Sequence, residues 1–122
     1  MRKKILILDD EWAMLELLRI HLSGKDFEVF MSQSPEEFKA LALRHKPDMM
    51  MMDIVVGDKN GPDVYQEMLQ NGFDPKIPVV FMSSLANDRP YTPPQKDHRY
   101  SLIGKPFNVE QLTDQLRELA AV

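Results

Sequence analysis

The run Met49-Met50-Met51-Met52-Asp53 indicates the central element around which the rest of this chain is arranged. Four long apolar side chains in succession are typical of a strand that is covered on both faces, as in a parallel sheet between two layers of helices. The run ends in a carboxylate, so Asp53 is predicted at the carboxyl end of a buried central strand. In open α/β sheets, ligands bind at that edge.

Short apolar runs alternate with amphipathic segments along the whole chain. Strands are predicted at residues 5–8, 27–31, 48–52, 77–82 and 100–103, with helices at about 12–23, 35–46, 61–70 and 109–119. Asp53–Asn60 is predicted to be a loop. This alternation favours a doubly wound α/β fold, in which a five-stranded parallel sheet carries helices on both faces.

One segment interrupts the alternation. Between Asn87 and Arg99, where a fourth helix is due, the chain has Pro90, Pro93 and Pro94. Three prolines so close together are incompatible with an α-helix, because each lacks a backbone N–H and clashes with the preceding turn. We therefore expect the fourth helix to be degenerate or replaced by a proline-rich loop.

Length and charge limit the possible functions. The 122 residues are enough for a single domain, 1–122, with one core. The net charge of −4 gives no electrostatic footprint for nucleic acid, and direct DNA binding is not expected. There is no cysteine, and the basic start is followed by only four apolar residues, too few for a signal peptide or a membrane span. These features are consistent with a cytoplasmic protein that contacts no membrane.

Chemically useful side chains follow four of the predicted strands. They are Asp9-Asp10, Asp53, Ser83 and Lys105. Because the carboxyl ends of parallel strands open onto one edge, these groups are expected to converge there. Three carboxylates that lie together need a divalent cation, and hard oxygen ligands favour Mg²⁺. Such a site suits a phosphoryl group on Asp53, since an aspartate can act as the nucleophile in phosphoryl transfer.

These residues, in this order, resemble those of the receiver domain of two-component response regulators. The resemblance covers residues 3–121 and rests on the ordered set Asp9-Asp10-Glu11, Asp53, Asn60-Gly61, Ser83 and Lys105-Pro106-Phe107. It implies a flavodoxin-like sheet with strand order 2-1-3-4-5.

The resemblance also implies roles for individual residues. Asp53 would accept a phosphoryl group from a sensor histidine kinase or a histidine phosphotransfer protein. Asp9, Asp10, Asp53 and the backbone carbonyl of Val55 would hold Mg²⁺. Lys105 would pair with the phosphoryl oxygens, and the hydroxyl group of Ser83 would hydrogen-bond to them. The domain would be a phosphoacceptor in a phosphorelay, and not an enzyme apart from catalysing its own phosphotransfer and slow dephosphorylation.

The chain departs from the family pattern at several positions. Gly57 stands where the family usually has proline, which predicts a looser loop after Asp53. Leu102 replaces the usual switch aromatic, with Tyr100 two residues earlier. Val55 and Leu85 are apolar where the family often has polar residues that position the hydrolytic water, so we expect slow dephosphorylation.

Other interpretations of the same sequence stay open. The fold could serve as an unphosphorylated pseudo-receiver, a constitutive protein-interaction module; the intact acids and Lys105 argue against it. It could also be a flavodoxin-like flavin binder, but the first strand is not followed by a Ser/Thr/Gly-rich phosphate loop. The output would be a separate downstream protein or an output domain missing from this chain, because the sequence ends on its last predicted helix.

Overall fold

The protein is described by a computed structural model that covers residues 2–23, 26–83, 100–104 and 107–120. Its centre is a five-stranded parallel sheet in the order β2-β1-β3-β6-β7, and a separate antiparallel pair is formed by β4 and β5. The strands are β1 (Lys3–Leu8), β2 (Phe27–Ser32), β3 (Met49–Asp53), β4 (Val55–Val56), β5 (Lys59–Asn60), β6 (Val79–Ser83) and β7 (Tyr100–Gly104). The helices are α1 (Trp12–Leu22), α2 (Pro35–His45), α3 (Gly61–Gln70) and α4 (Val109–Ala120).

The methionine run forms the centre of both hydrophobic layers. Met49 and Met51 pack in the cluster that includes residues of α1 and α4, whereas Met50 and Met52 pack in the cluster with residues of α2 and α3. All four methionines are fully buried. A strand between two helical layers has no solvent face, which explains why it shows no apolar/polar alternation.

Helix starts are fixed by side-chain caps. The side chain of Ser34 accepts a hydrogen bond from the Glu37 backbone N–H at 3.2 Å, with proline in the first turn of α2. Asn108 accepts from the N–H groups of Glu110 and Gln111 at the start of α4. Each cap satisfies backbone donors that have no partner within the helix, so the sequence signals for these helix starts are confirmed.

The predicted fold class and strand order are confirmed, because β2-β1-β3-β6-β7 corresponds to 2-1-3-4-5 once the short hairpin strands are set aside. The prediction of a simple loop over Asp53–Asn60 was incomplete. Val55 pairs with Asn60 and Val56 with Lys59, so a two-stranded hairpin lies between β3 and α3. β3 itself begins one residue later than predicted and includes Asp53.

Two predictions made from the sequence bear on the limits of the described residues. The prediction that the fourth helix is degenerate or replaced by a proline-rich loop concerns residues 87–99, which lie outside the described part of the chain. Among the helices that the structure does describe, none combines the length and the apolar character that crossing a bilayer requires.

Candidate functional site

The first two acids of the site directly follow β1. Asp9 is completely buried, and its backbone N–H donates to the carbonyl oxygen of Ser32 at 3.1 Å, which extends the pairing of β1 with β2 by one residue. Its Oδ1 accepts a hydrogen bond from the N–H of Glu11 at 2.9 Å. The backbone therefore fixes both the position of Asp9 and one of its carboxylate oxygens. Asp10 is exposed.

Asp53 is the last residue of β3 and is only 7% exposed. Its Oδ1 accepts from the N–H of Val55 at 3.3 Å. The chain just beyond Asp53 is held on two sides. The backbone N–H of Ile54 donates to the carbonyl oxygen of Met82, and the carbonyl oxygen of Ile54 accepts from the N–H of Gly61 at 2.7 Å. The end of the central strand is thus fixed between β6 and the start of α3.

The structure brings these acids together. One carboxylate oxygen from each of Asp9, Asp10 and Asp53 lies within 4.8 Å of the other two. Two unit charges 4 Å apart interact by about 4 kcal/mol at an effective dielectric constant of about 20, so the ionised cluster is strongly self-repelling. A divalent cation would relieve this repulsion, and a set of hard oxygen donors fits Mg²⁺ better than Zn²⁺.

The hairpin contributes a backbone group to this cluster. The N–H of Gly57 donates to Oδ2 of Asp10 at 3.0 Å, across 47 residues of sequence. From the sequence, Gly57 is notable only as a replacement for proline that predicts a looser loop. The contact was missed because it depends on a turn conformation and on a long-range approach, which no local pattern in the sequence reports.

Ser83 ends the neighbouring strand β6 and is 6% exposed. The residue before it, Met82, pairs with Asp53, so the register places Ser83 at the carboxylate edge of the sheet. Val55 follows the acid by two residues and is 53% exposed. The role of the Val55 backbone carbonyl as a metal ligand stays a prediction. Lys105 lies outside the described residues, and β7 ends just before it at Gly104.

Gly61, the first residue of α3, packs directly on the backbone of Asp53. A Cβ atom at this position would overlap the carbonyl oxygen of Asp53, and the N–H of Gly61 donates to the carbonyl oxygen of Ile54. Asn60 caps the same helix by accepting from the N–H of Asp63 at 3.3 Å. The sequence marked Asn60-Gly61 as a motif, but the close approach of Gly61 to the acceptor strand is visible only in the structure.

The predicted switch position lies on the edge strand β7. Leu102 pairs with Phe81 of β6 and is 37% exposed. The side chain of Tyr100 is outside the described part of the structure. The expectation that the usual aromatic switch is altered therefore stays a prediction.

Comparisons with known proteins give a consistent result. The family model of the response regulator receiver domain matches residues 5–117. The chain is 27% identical over 116 residues to the DNA-binding dual master transcriptional regulator RpaA of Synechocystis. This match covers 95% of this chain and 48% of RpaA. It is 25% identical over 122 residues to the transcriptional regulatory protein KdpE of Staphylococcus aureus, covering 100% of this chain and 52% of KdpE.

The chain therefore spans about half the length of these curated relatives. Among solved structures, the chemotaxis protein CheY4 of Vibrio cholerae superposes with a TM-score of 0.80 at 19% identity, over 98% of this chain and 99% of that one. At this level of identity the likeness bears on the fold, and it agrees with the sheet order described above.

Proposed function

This chain belongs to the response regulator receiver family, and from that premise we propose that it accepts a phosphoryl group on the carboxylate of Asp53 in two-component signalling. The observation that carries the proposal is the convergence of Asp9, Asp10 and Asp53 within 4.8 Å at the carboxyl edge of the central strand. A structural cap at a strand end needs one acid, whereas two buried acids and a third beside them suit a cation and an anionic ligand with several oxygens.

The donor is a phosphohistidine on a sensor histidine kinase or a histidine phosphotransfer protein. A carboxylate oxygen of Asp53 attacks the phosphorus atom, the P–N bond breaks, and the imidazole leaves with its electron pair. Because β3, β6 and α3 hold the backbone around Asp53, the attacking oxygen needs little reorganisation.

Asp9, Asp10 and Asp53, with the backbone carbonyl of Val55, would hold Mg²⁺. The cation, when bound, would offset the negative charge that accumulates as the dianionic phosphoryl group approaches three carboxylates. Lys105 would pair with the phosphoryl oxygens. Ser83, at the end of β6, would donate its hydroxyl hydrogen to one of them and so connect the phosphorylated state to the edge of the sheet.

The domain would not be an enzyme in the usual sense. It would catalyse its own phosphorylation and a slow dephosphorylation. Phosphorylation would shift a conformational equilibrium, and a partner would bind the state that becomes favoured. That partner would be a downstream protein or an output segment of a longer chain. A cytoplasmic location would give the acceptor access to a kinase, and the net charge of −4 provides no attraction to nucleic acid or to anionic lipid.

Intact-mass spectrometry after incubation with acetyl phosphate and Mg²⁺ tests the proposal. We expect a gain of about 80 Da, the mass of one phosphoryl group, in the wild-type protein. The gain should be absent in Asp53→Asn and after chelation of the metal. Asp63→Asn is the matched control, since Asp63 is an exposed acid of α3 outside the cluster.

Absence of the adduct from wild-type protein that is folded by circular dichroism would overturn the proposal. It would favour the alternative, a pseudo-receiver that binds its partner without phosphorylation. An adduct that persists in Asp53→Asn would place the acceptor on another residue.

A further inference from the structure

The hairpin between β3 and α3 has a defined turn. Its two residue pairs, Val55 with Asn60 and Val56 with Lys59, leave Gly57 and Asp58 as a two-residue connection. The φ angle of Gly57 is +61°, in the left-handed region. Two-residue hairpins favour turns with positive φ at the first central position, and glycine adopts this conformation without steric cost.

This turn places the Gly57 N–H against the metal cluster. The N–H donates to Oδ2 of Asp10 at 3.0 Å, and the backbone carbonyl oxygen of Asp10 accepts from the side-chain amide of Gln33 at 3.3 Å. Asp10 is the exposed member of the cluster, so it lacks the surrounding packing that orients a buried carboxylate. Within the described part of the chain, Gly57 is the residue that hydrogen-bonds to the Asp10 carboxylate.

We propose that Gly57 is a positioning residue for the cation site: its backbone N–H orients the Asp10 carboxylate toward Asp9 and Asp53 before the cation arrives. This inference rests on the proposed function. A carboxylate held in place loses less rotational freedom on binding, so the cation binds more tightly. The N–H also stabilises the charged carboxylate without adding a positive group that would repel the cation.

Two substitutions at the same position test the hydrogen bond: one removes the N–H together with the left-handed turn that presents it, and the other keeps both. Gly57→Pro removes the N–H and cannot adopt a φ of +61°. Gly57→Asn is the conservative variant, because it keeps the N–H and asparagine tolerates the left-handed region. There is room for the new side chain, since a Cβ atom at Gly57 has no neighbouring atom within 4 Å.

The primary measurement is the dissociation constant for Mg²⁺, obtained by calorimetry and from the fluorescence of Trp12, the single tryptophan. We expect Gly57→Pro to weaken Mg²⁺ binding roughly ten-fold, in keeping with the loss of one hydrogen bond to a charged group. Gly57→Asn should retain the wild-type constant within about two-fold. Equal affinity of Gly57→Pro and wild type would overturn the inference, and so would tighter binding by Gly57→Pro.

A second measurement distinguishes positioning from general disruption. At saturating Mg²⁺, Gly57→Pro should reach the wild-type yield of acetyl-phosphate adduct, while needing more Mg²⁺ for half of it. A reduced yield at saturation would mean that the substitution damages the acceptor site itself, contrary to the inference.

Hydrogen exchange of the Gly57 amide provides a spectroscopic test in the unaltered protein. Its protection should persist when Mg²⁺ is added, because the N–H and the cation are proposed to act on the carboxylate together. Loss of protection on adding Mg²⁺ would show that the N–H and the cation compete for the carboxylate, which rejects the inference.

Failure of the proposed function and failure of this inference give different results. If the wild-type protein bound no Mg²⁺ and formed no adduct, the proposed function would fail. If the wild-type protein did both and the two Gly57 variants matched it, only the positioning role would fail.

Discussion

Gly61 lies against Asp53 so closely that a Cβ atom on the glycine would overlap the aspartate's carbonyl oxygen. This contact joins the first residue of α3 to the last residue of the central strand. The N–H of Gly61 also donates to the carbonyl oxygen of Ile54 at 2.7 Å. The start of the helix is therefore part of the support that holds the proposed phosphoryl acceptor.

Gly61→Ala should consequently lower both stability and acceptor function. Overpacking of this kind costs about 1–3 kcal/mol in the free energy of unfolding, because α3 or the end of β3 has to shift. Urea denaturation measures that loss, and the initial rate of adduct formation with acetyl phosphate measures the loss of acceptor function that follows if Asp53 is displaced.

Gly72→Ala is the control for this experiment. Gly72 has a φ of +95° and open space around its Cβ position, so alanine there introduces backbone strain without a steric overlap. We expect a loss of about 1–2 kcal/mol in stability with an unchanged rate of adduct formation. If the two variants lost acceptor function equally, the effect of Gly61→Ala would not come from its contact with Asp53.

Magnesium should stabilise the fold through the acidic cluster. A ligand that binds only the native state at one hundred times its dissociation constant raises the free energy of unfolding by about 2.7 kcal/mol. We expect an increase of this size for wild type and little or none for Asp9→Asn, since Asp9 is a fully buried member of the cluster. Thermal unfolding with and without Mg²⁺ measures the difference. An equal shift in both proteins would place the cation elsewhere.

The features that follow local rules could be predicted from the sequence. The buried strand at Met49–Met52 follows from its unbroken apolar run, and the helix starts at Ser34 and Asn108 follow from capping side chains. The edge where Asp9, Asp10 and Asp53 gather follows from the topology of parallel sheets.

The contacts that tune this edge could not be predicted in the same way. The hydrogen bond from Gly57 to Asp10 depends on a left-handed φ angle and on the approach of residues 47 positions apart. The steric overlap that excludes a Cβ atom at position 61 depends on how closely α3 approaches the carbonyl oxygen of Asp53 at the end of β3. Both glycines are visible in the sequence, but many glycines are found in loops, and only the packed structure shows which of them carry a constraint.

The hairpin is also tied to α2 by a charge pair, which gives a pH-dependent prediction. The pKa of Glu36 lies below its usual range because a backbone N–H donates to its carboxylate and, secondarily, because Lys59 of β5 lies 3.4 Å away. A carboxyl whose pKa is lowered in the folded state contributes stability above its unfolded pKa, and the contribution is lost as the pH falls through the folded value.

Lys59→Met should therefore raise the pKa of Glu36 only partway, leaving it below the usual range. Carbon-detected NMR titration of the Glu36 carboxyl group in both proteins measures this. An unchanged pKa in Lys59→Met would mean that the hairpin does not hold Lys59 near α2 in solution.

Ser83→Ala should separate acceptance of the phosphoryl group from the response to it. Asp53 is intact in this variant, so the mass adduct should still form. The buried hydroxyl at the end of β6 is lost, so the phosphorylation-dependent changes in NMR shifts along β6 and β7 should shrink. Thr113→Val is the matched control, because Thr113 is equally buried but its hydroxyl donates within α4, to the carbonyl oxygen of Val109. Undiminished shift changes in Ser83→Ala would exclude Ser83 as the reporter.

Val55 should control the lifetime of the phosphorylated state. Val55 is 53% exposed and lies two residues from Asp53, and its side chain has no polar atom that could hold an attacking water molecule. Val55→Asn supplies such an atom and should speed dephosphorylation about five-fold, the factor that corresponds to one hydrogen bond of about 1 kcal/mol. The decay of the adduct after removal of acetyl phosphate, followed by intact mass, gives both rates.

Val55→Ala is the control, since it shortens the side chain without adding a polar atom and should leave the rate within about two-fold of wild type. A wild-type half-life of seconds would contradict the expectation of slow dephosphorylation, and equal acceleration by both substitutions would attribute the effect to access of water instead of its positioning.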